Sequence, residues 1–176
     1  MDPILQQQID YYRARAGEYD EWFYRVGRYD HGPELNQQWF DEAGQVMAAL
    51  QALGPVADAL ELACGTGIWT EQLLRISQQV TALDASPEVM AVNRARLQSD
   101  HVRYEQADLF AWEPAGTFDL VGFGFWLSHV PPDQRDAFLD KVARATRPGG
   151  HLFLVDSLRA NYSSARDHAA YEPESI

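Results

Sequence analysis

Two glycines two residues apart, Gly65 and Gly67, close the segment Glu61-Leu62-Ala63-Cys64-Gly65-Thr66-Gly67. Glycines at such spacing let a backbone turn sharply and meet a ligand with no Cβ in between. The segment stands where a short apolar run gives way to an amphipathic one, so a strand leads into the turn and a helix beginning near Ile68 leads out of it. Two further acids take comparable places: Asp84 closes the next apolar run, and Asp108 follows the one after. In an open parallel sheet the carboxyl ends of the strands border the ligand crevice. Glu61, Asp84 and Asp108 are therefore expected on one rim, and a carboxylate ending the second strand suits the hydroxyls of a ribose.

The charge on that rim narrows the ligand. A dinucleotide lays an anionic pyrophosphate on the glycine turn, which Glu61 opposes. Thr70 also stands where the dinucleotide fingerprint calls for a third small Gly or Ala. S-adenosylmethionine has no phosphate; it carries an ammonium and a sulfonium, both favoured by an acidic strand end. An NAD(P)-dependent oxidoreductase is thereby disfavoured, and a module that binds S-adenosylmethionine without catalysis is the second alternative.

Several elements must position these residues. Tyr11, Arg15, Tyr19 and Trp22 recur at spacings of three and four, which predicts an N-terminal helix with an aromatic stripe. A second helix is expected from Pro33, carrying Leu35, Trp39, Val46, Leu50 and Leu53 to a stop at Gly54-Pro55. From Val56 onward, short apolar runs alternate with amphipathic segments, the pattern of βα units in a doubly wound, mostly parallel α/β sheet. Strands are expected near 58–63, 80–84, 102–106, 118–124 and 151–156, with helices near 67–77, 87–98 and 132–146. Ser86-Pro87-Glu88 supplies the cap, first position and acidic first turn of the second of these helices. Pro148-Gly149-Gly150 is expected to break the last helix before the fifth strand. The residues from 157 to 176 show no strand pattern and are read as a loop or a frayed helix.

The chain of 176 residues suits one domain: helices over 1–54, a ligand-binding core over 55–156 and a tail over 157–176. No apolar run approaches the about 20 residues that cross a bilayer, and the N-terminus lacks the features of a secretion signal. Cys64 is the only cysteine, so an intrachain disulfide is excluded and a cytoplasmic location is expected. A net charge of -12 repels phosphate backbones and anionic membranes, so neither nucleic acid nor membrane is an expected partner. No Cys/His cluster has metal-ligand spacing, and no metal is expected.

The sequence resembles the class I S-adenosylmethionine-dependent methyltransferases, in their small-molecule branch. The resemblance rests on Glu61 to Thr70, on Leu83-Asp-Ala-Ser-Pro-Glu-Val-Met90, on Gln106-Ala-Asp-Leu109, on Phe118-Asp-Leu-Val121 and on Arg147-Pro-Gly-Gly150, and it spans roughly 56–156. It implies a Rossmann-like core whose turn, Gly65 to Gly67 with Ala63, Cys64 and Thr66 around it, borders the amino acid portion of the cofactor. Asp84 would hold the ribose hydroxyls, with Ala85 and Met90 near the adenosine. Asp108 would face the adenine amino group, Leu109 would lie beside the ring, and Phe125 would stand close to the methyl-bearing sulfur. The N-terminal helix resembles the lid such enzymes fold over the cofactor, with Tyr11, Tyr19 and Trp22 as candidate contacts. Family sheets ordinarily have seven strands, and only five can be drawn here. The chain is therefore expected to be shortened at its C-terminus, either as a fragment or with a homodimer or another partner covering the edge of the fifth strand.

Methyl transfer from a sulfonium needs positioning above all, although an acceptor hydroxyl or thiol gains from a base. His129 is the candidate base because it follows the fourth strand on the crevice side, and Asp156, ending the fifth, is a second. His101 and His151 stand at the opposite ends of their strands and are read as structural. Cys64 has no histidine near it in sequence and is not expected to be a nucleophile. The aromatic N-terminus with Phe123, Phe125 and Trp126 points to a small apolar or aromatic acceptor. The fourth strand ends without the Asn/Asp-Pro-Pro-Tyr/Phe loop of DNA amino-group methylases.

Overall fold

The computed structural model describes residues 16–156; Tyr11 and the tail after Asp156 lie outside them. Helix α1 (Ala16–Phe23) is followed by a short 3-10 turn (Gly27–Tyr29) and by α2 (Pro33–Gln51). Proline opens α2 at its first position, where no intrahelical N–H is needed, and Trp39 and Leu50 fall on its buried side. The chain then alternates: β1 (Val56–Leu62), α3 (Ile68–Leu74), β2 (Ser77–Asp84), α4 (Pro87–Leu97), β3 (Val102–Gln106), β4 (Phe118–Gly124), α5 (Arg135–Ala145) and β5 (Thr146–Val155). Among the described residues, no helix is long and apolar enough to cross a membrane.

The five strands form one parallel sheet in the order β3-β2-β1-β4-β5. Leu60 of β1 pairs with Thr81 of β2 on one side and Val121 of β4 on the other. β1 is thus where the strand order reverses, and in open α/β sheets the crevice beyond the strand ends at that place receives ligands.

Strand periodicity sorts the core into two layers. Ala59, Ala82 and Leu120 face the layer packed by Phe23, Trp39, Leu50, Ile68, Trp69 and Leu73, from α1, α2 and α3. Leu60, Leu62, Leu83, Val121 and Phe123 face the layer of Phe138 and Val142, from α5. Truncating a side chain as enclosed as Leu60 costs about 2–5 kcal/mol, so the rim is carried by a rigid base.

The α4 cap forms as its sequence predicts: Ser86 Oγ accepts from Val89 N at 3.4 Å, and Gln98 ends the helix in the left-handed region. Elsewhere the boundaries move. The expected helix over 67–77 stops at Leu74, and Ser77, whose hydroxyl donates to Leu73 O at 2.6 Å, already begins β2. Pro148-Gly149-Gly150 does not precede the fifth strand but lies within it, since β5 begins at Thr146. The pairing skips there, from Phe118 opposite Thr146 to Leu120 opposite His151. An irregularity of this kind absorbs a proline and two glycines on an edge strand, where ladder bonds are needed on one side only. His151 therefore sits inside β5 rather than at its start.

Candidate functional site

β1 ends in a turn whose backbone is unusual: Ala63, Gly65 and Gly67 all have positive φ, at 54°, 52° and 98°. For alanine that conformation is costly and persists only where surroundings enforce it. The two glycines serve different needs. A Cβ on Gly67 would lie 2.6 Å from Asn93 Oδ1, so this glycine admits α4 against the turn. A Cβ on Gly65 would meet no heavy atom within 4 Å, so this glycine faces open space. Asp84 holds the turn in place. Its Oδ2 accepts the Gly65 N–H at 2.9 Å while its Oδ1 accepts the Ser86 N–H at 2.9 Å, joining the ends of β1 and β2.

Beneath the turn lies a buried polar network. Glu61 shares a strand face with Ala59, so its side chain points toward α3 rather than out of the rim. There Thr70 Oγ1 donates to Glu61 Oε2 at 2.5 Å and accepts from Asn93 Nδ2 at 2.8 Å. Asn93 also reaches Gly65 O at 3.4 Å and accepts the Tyr104 hydroxyl at 2.8 Å. Glu61 is 2% exposed. Burial pushes its carboxyl up to about 8, the Thr70 bond opposes that, and the charge of Asp84 adds to it. Burial also raises the Asp84 carboxyl, against the bonds from the Ser86 and Gly65 N–H groups. Two acids lifted by burial, Glu61 also by the charge of Asp84, make a site that a cation relieves and an anion aggravates.

Aromatic rings wall the β4 side. Phe125 leaves β4 at a φ of 54°, another strained non-glycine position, with its N–H bonded to Val155 O at 2.7 Å. Its ring meets Trp22 edge-on at 4.7 Å and lies 6.2 Å from Trp69. Trp22 stands 5.5 Å from Tyr19, so α1 supplies two rings to this wall. The Tyr19 hydroxyl is held well above its ordinary value, chiefly by burial and then by the charge of Glu61. Between them, Asp20 accepts the Thr66 hydroxyl at 2.6 Å and pairs with Arg96 of α4.

The remaining candidates spread along the rim. Asp108 Oδ1 accepts the Phe110 N–H at 2.9 Å, bending the chain after β3, and Leu109 is buried in the α5 layer. Ala107 N bonds Asp84 O at 2.9 Å, which joins this loop to the end of β2. Ala85 O accepts from Gln106 at 3.1 Å, and Met90 is 6% exposed in the core below. Cys64 is buried, and burial followed by the charges of Glu61 and Asp84 pushes its thiol up, which disfavours a thiolate. His129 lies at the surface in a 3-10 turn (Leu127–His129). Its imidazole is lowered by partial burial and raised in part by Asp156. Asp156 grips the preceding residue, accepting the Ser128 N–H at 2.8 Å and the Ser128 hydroxyl at 3.0 Å. Among the described residues no cluster has the makings of a metal site.

The structure thus gathers Ala63 to Gly67, Asp84, Phe125, Tyr19 and Trp22 around one rim, with Asp108 and His129 on its flanks, whereas Glu61, expected on that rim, lies beneath the turn against Thr70. Sequence reading passed over Asn93 and Asp20. Asn93 had a legible signal, being a polar residue on the stripe formed by Val89 and Met90. Asp20 had none, because its partners lie 46 and 76 residues away.

A family model described as a methyltransferase domain matches residues 59–150. The ubiquinone biosynthesis O-methyltransferase of Xanthomonas oryzae pv. oryzae is 34% identical over 138 residues, covering 68% of this chain and 56% of that protein. The chain therefore spans little more than half the length of this relative. Two solved structures are similar to it: the DhpI–SAH complex (40% identity, TM-score 0.71, 85% of this chain and 67% of that one) and the DhpI–SAM–HEP complex (37%, 0.73, 99% and 75%).

Proposed function

This chain belongs to the S-adenosylmethionine-dependent methyltransferase-domain family, and from that premise we propose that it transfers a methyl group from S-adenosylmethionine to a small apolar or aromatic acceptor. The observation that carries the reading is the clasp of Asp84 on Gly65: one carboxylate fixes the turn while open space lies over the glycine it holds. The residues fit the cofactor by charge as well, since the Asp84 carboxylate that clasps the turn favours a cationic adenosyl ligand over a pyrophosphate. Gly65 to Gly67 and Asp84 would hold it, with Asp108 and Leu109 toward its base and Phe125 toward its sulfur. When bound, the cofactor supplies an activated methyl on a sulfonium.

The chain's own side chains orient and shield. Phe125 and Trp22, backed by the buried Trp69, form a surface that excludes water and suits an apolar acceptor. The helices before β1 act as a lid on the α/β core, in one domain. His129 accepts the acceptor's proton at an imidazole nitrogen, and a value below the ordinary one keeps it neutral for that task near pH 7. A single buried cysteine suits work in the cytoplasm. A second chain, a copy or another partner, covers the β5 edge, which among the described residues pairs with β4 alone. Calorimetric titration with S-adenosylmethionine and with NADH tests the reading. Binding of the first alone is expected, and binding of NADH alone would overturn it.

A further inference from the structure

Asp20 ties three separate elements together. It sits on α1, it accepts the hydroxyl of Thr66 inside the glycine turn at 2.6 Å, and its other oxygen pairs with Arg96 in the last turn of α4. Partners 46 and 76 residues away mean that both bonds exist only while α1 is docked on the rim. Thr66 is 1% exposed. The ion pair itself keeps contact with solvent, at 21% exposure for Arg96 and 29% for Asp20.

That difference in exposure distinguishes a device that opens from one that is permanent. A fully buried pair is costly to separate, whereas one that keeps part of its surface in water is screened by salt and opens more readily. The residues on either side of Asp20 matter as well. Tyr19 lies beside Glu61 and Trp22 packs on Phe125, so displacing Asp20 displaces the rings that wall the site. Below the turn, Asn93 of the same α4 bonds Gly65 O and Thr70. α4 therefore grips the turn directly through Asn93 and through α1 by way of Arg96 and Asp20.

We propose that Asp20 is a positioning residue, a latch that acts through Thr66 and Arg96 to hold α1 over the glycine turn and so governs how fast an adenosyl ligand leaves. This rests on the reading that the turn binds such a ligand. Two substitutions divide the latch: Asp20→Asn keeps an oxygen for Thr66 but ends the ion pair, and Asp20→Ala ends both contacts. Arg96→Gln, on the far side, ends the ion pair without touching α1.

Dissociation of S-adenosylhomocysteine, followed by stopped-flow tryptophan fluorescence, is expected to quicken a few-fold in Asp20→Asn and Arg96→Gln, and on the order of tenfold in Asp20→Ala. In the native protein the rate rises with salt, and in Asp20→Asn that salt dependence disappears. The double variant Asp20→Asn/Arg96→Gln is expected to release no faster than either single one. Amide exchange over residues 16–29 of the ligand-free protein, expected to speed up in the same order, reads the latch without any ligand. If the native protein binds no S-adenosylhomocysteine, the functional reading fails while the exchange data still decide the latch. Unchanged exchange in Asp20→Ala and Arg96→Gln overturns the latch, as do unchanged release rates in a protein that binds the ligand.

Discussion

The Thr70 hydroxyl and the Glu61 carboxylate meet at 2.5 Å inside the core, one residue from the helix beyond the glycine turn and one from the strand before it. A buried carboxyl that loses its donor bears its desolvation cost unaided. Thr70→Val keeps the shape and removes the hydroxyl, and it also takes the acceptor from Asn93. It is expected to destabilise the protein by about 1–3 kcal/mol, measured by urea unfolding. An unchanged midpoint would mean that the network contributes nothing to stability.

Glu61 gives stability a definite pH dependence. Its carboxyl stands at about 8 in the folded protein against an ordinary value of 4.5. Between those values the folded state holds more protons than the unfolded one, so stability is fully present below pH 4.5 and is lost as pH rises through 8. Glu61→Gln keeps an oxygen for Thr70 and cannot ionise. Relative to the native protein, this variant should gain stability steadily as pH is raised, checked by unfolding midpoints at several pH values. Parallel curves for the two proteins would contradict the assignment.

The two glycines of the turn separate stability from affinity. Gly67→Ala drives a methyl into Asn93 and should lower the melting temperature by several degrees. Gly65→Ala enters open space, so its stability loss is confined to left-handed strain of about 1–2 kcal/mol. Its cost falls on the ligand, with S-adenosylmethionine affinity reduced tenfold or more by calorimetry. Equal affinity in Gly65→Ala and the native protein would show that no ligand approaches this turn.

His129 is expected to supply a factor of about 10²–10⁴ in rate if it accepts the proton, so His129→Ala should lose that much in kcat with acceptors that must be deprotonated. Asp156 raises its imidazole, against the lowering by burial. Removing that charge with Asp156→Asn should therefore shift the acidic limb of the kcat/KM profile to lower pH. A shift to higher pH, or none, would detach Asp156 from the histidine.

Much of this site could be read before the fold was seen, because its signals are local. The Ser86-Pro87-Glu88 cap lies within one helical turn, and the acids mark strand ends by their place after apolar runs. The misplaced boundaries come from tertiary context. Pro148 and the two glycines after it break a helix in isolation, but beside β4 they fit into a pairing irregularity that only the sheet specifies. Glu61 was expected to act on the ligand from the rim, yet strand alternation turns its side chain under the turn toward Thr70. The grip of Asp20 on Thr66 and Arg96 is set by how helices dock, and no spacing in the sequence encodes it.

The account depends most on Asp84, which holds the Gly65 N–H on Oδ2 and the Ser86 N–H on Oδ1, each at 2.9 Å, and we propose that the same carboxylate also accepts the ribose hydroxyls of the cofactor. Titration of S-adenosylmethionine into native protein and Asp84→Asn, with circular dichroism confirming that both are folded, measures its part directly. The expected result is micromolar binding to the native protein and a loss of at least tenfold in the variant, and equal affinity in two folded proteins would contradict the account.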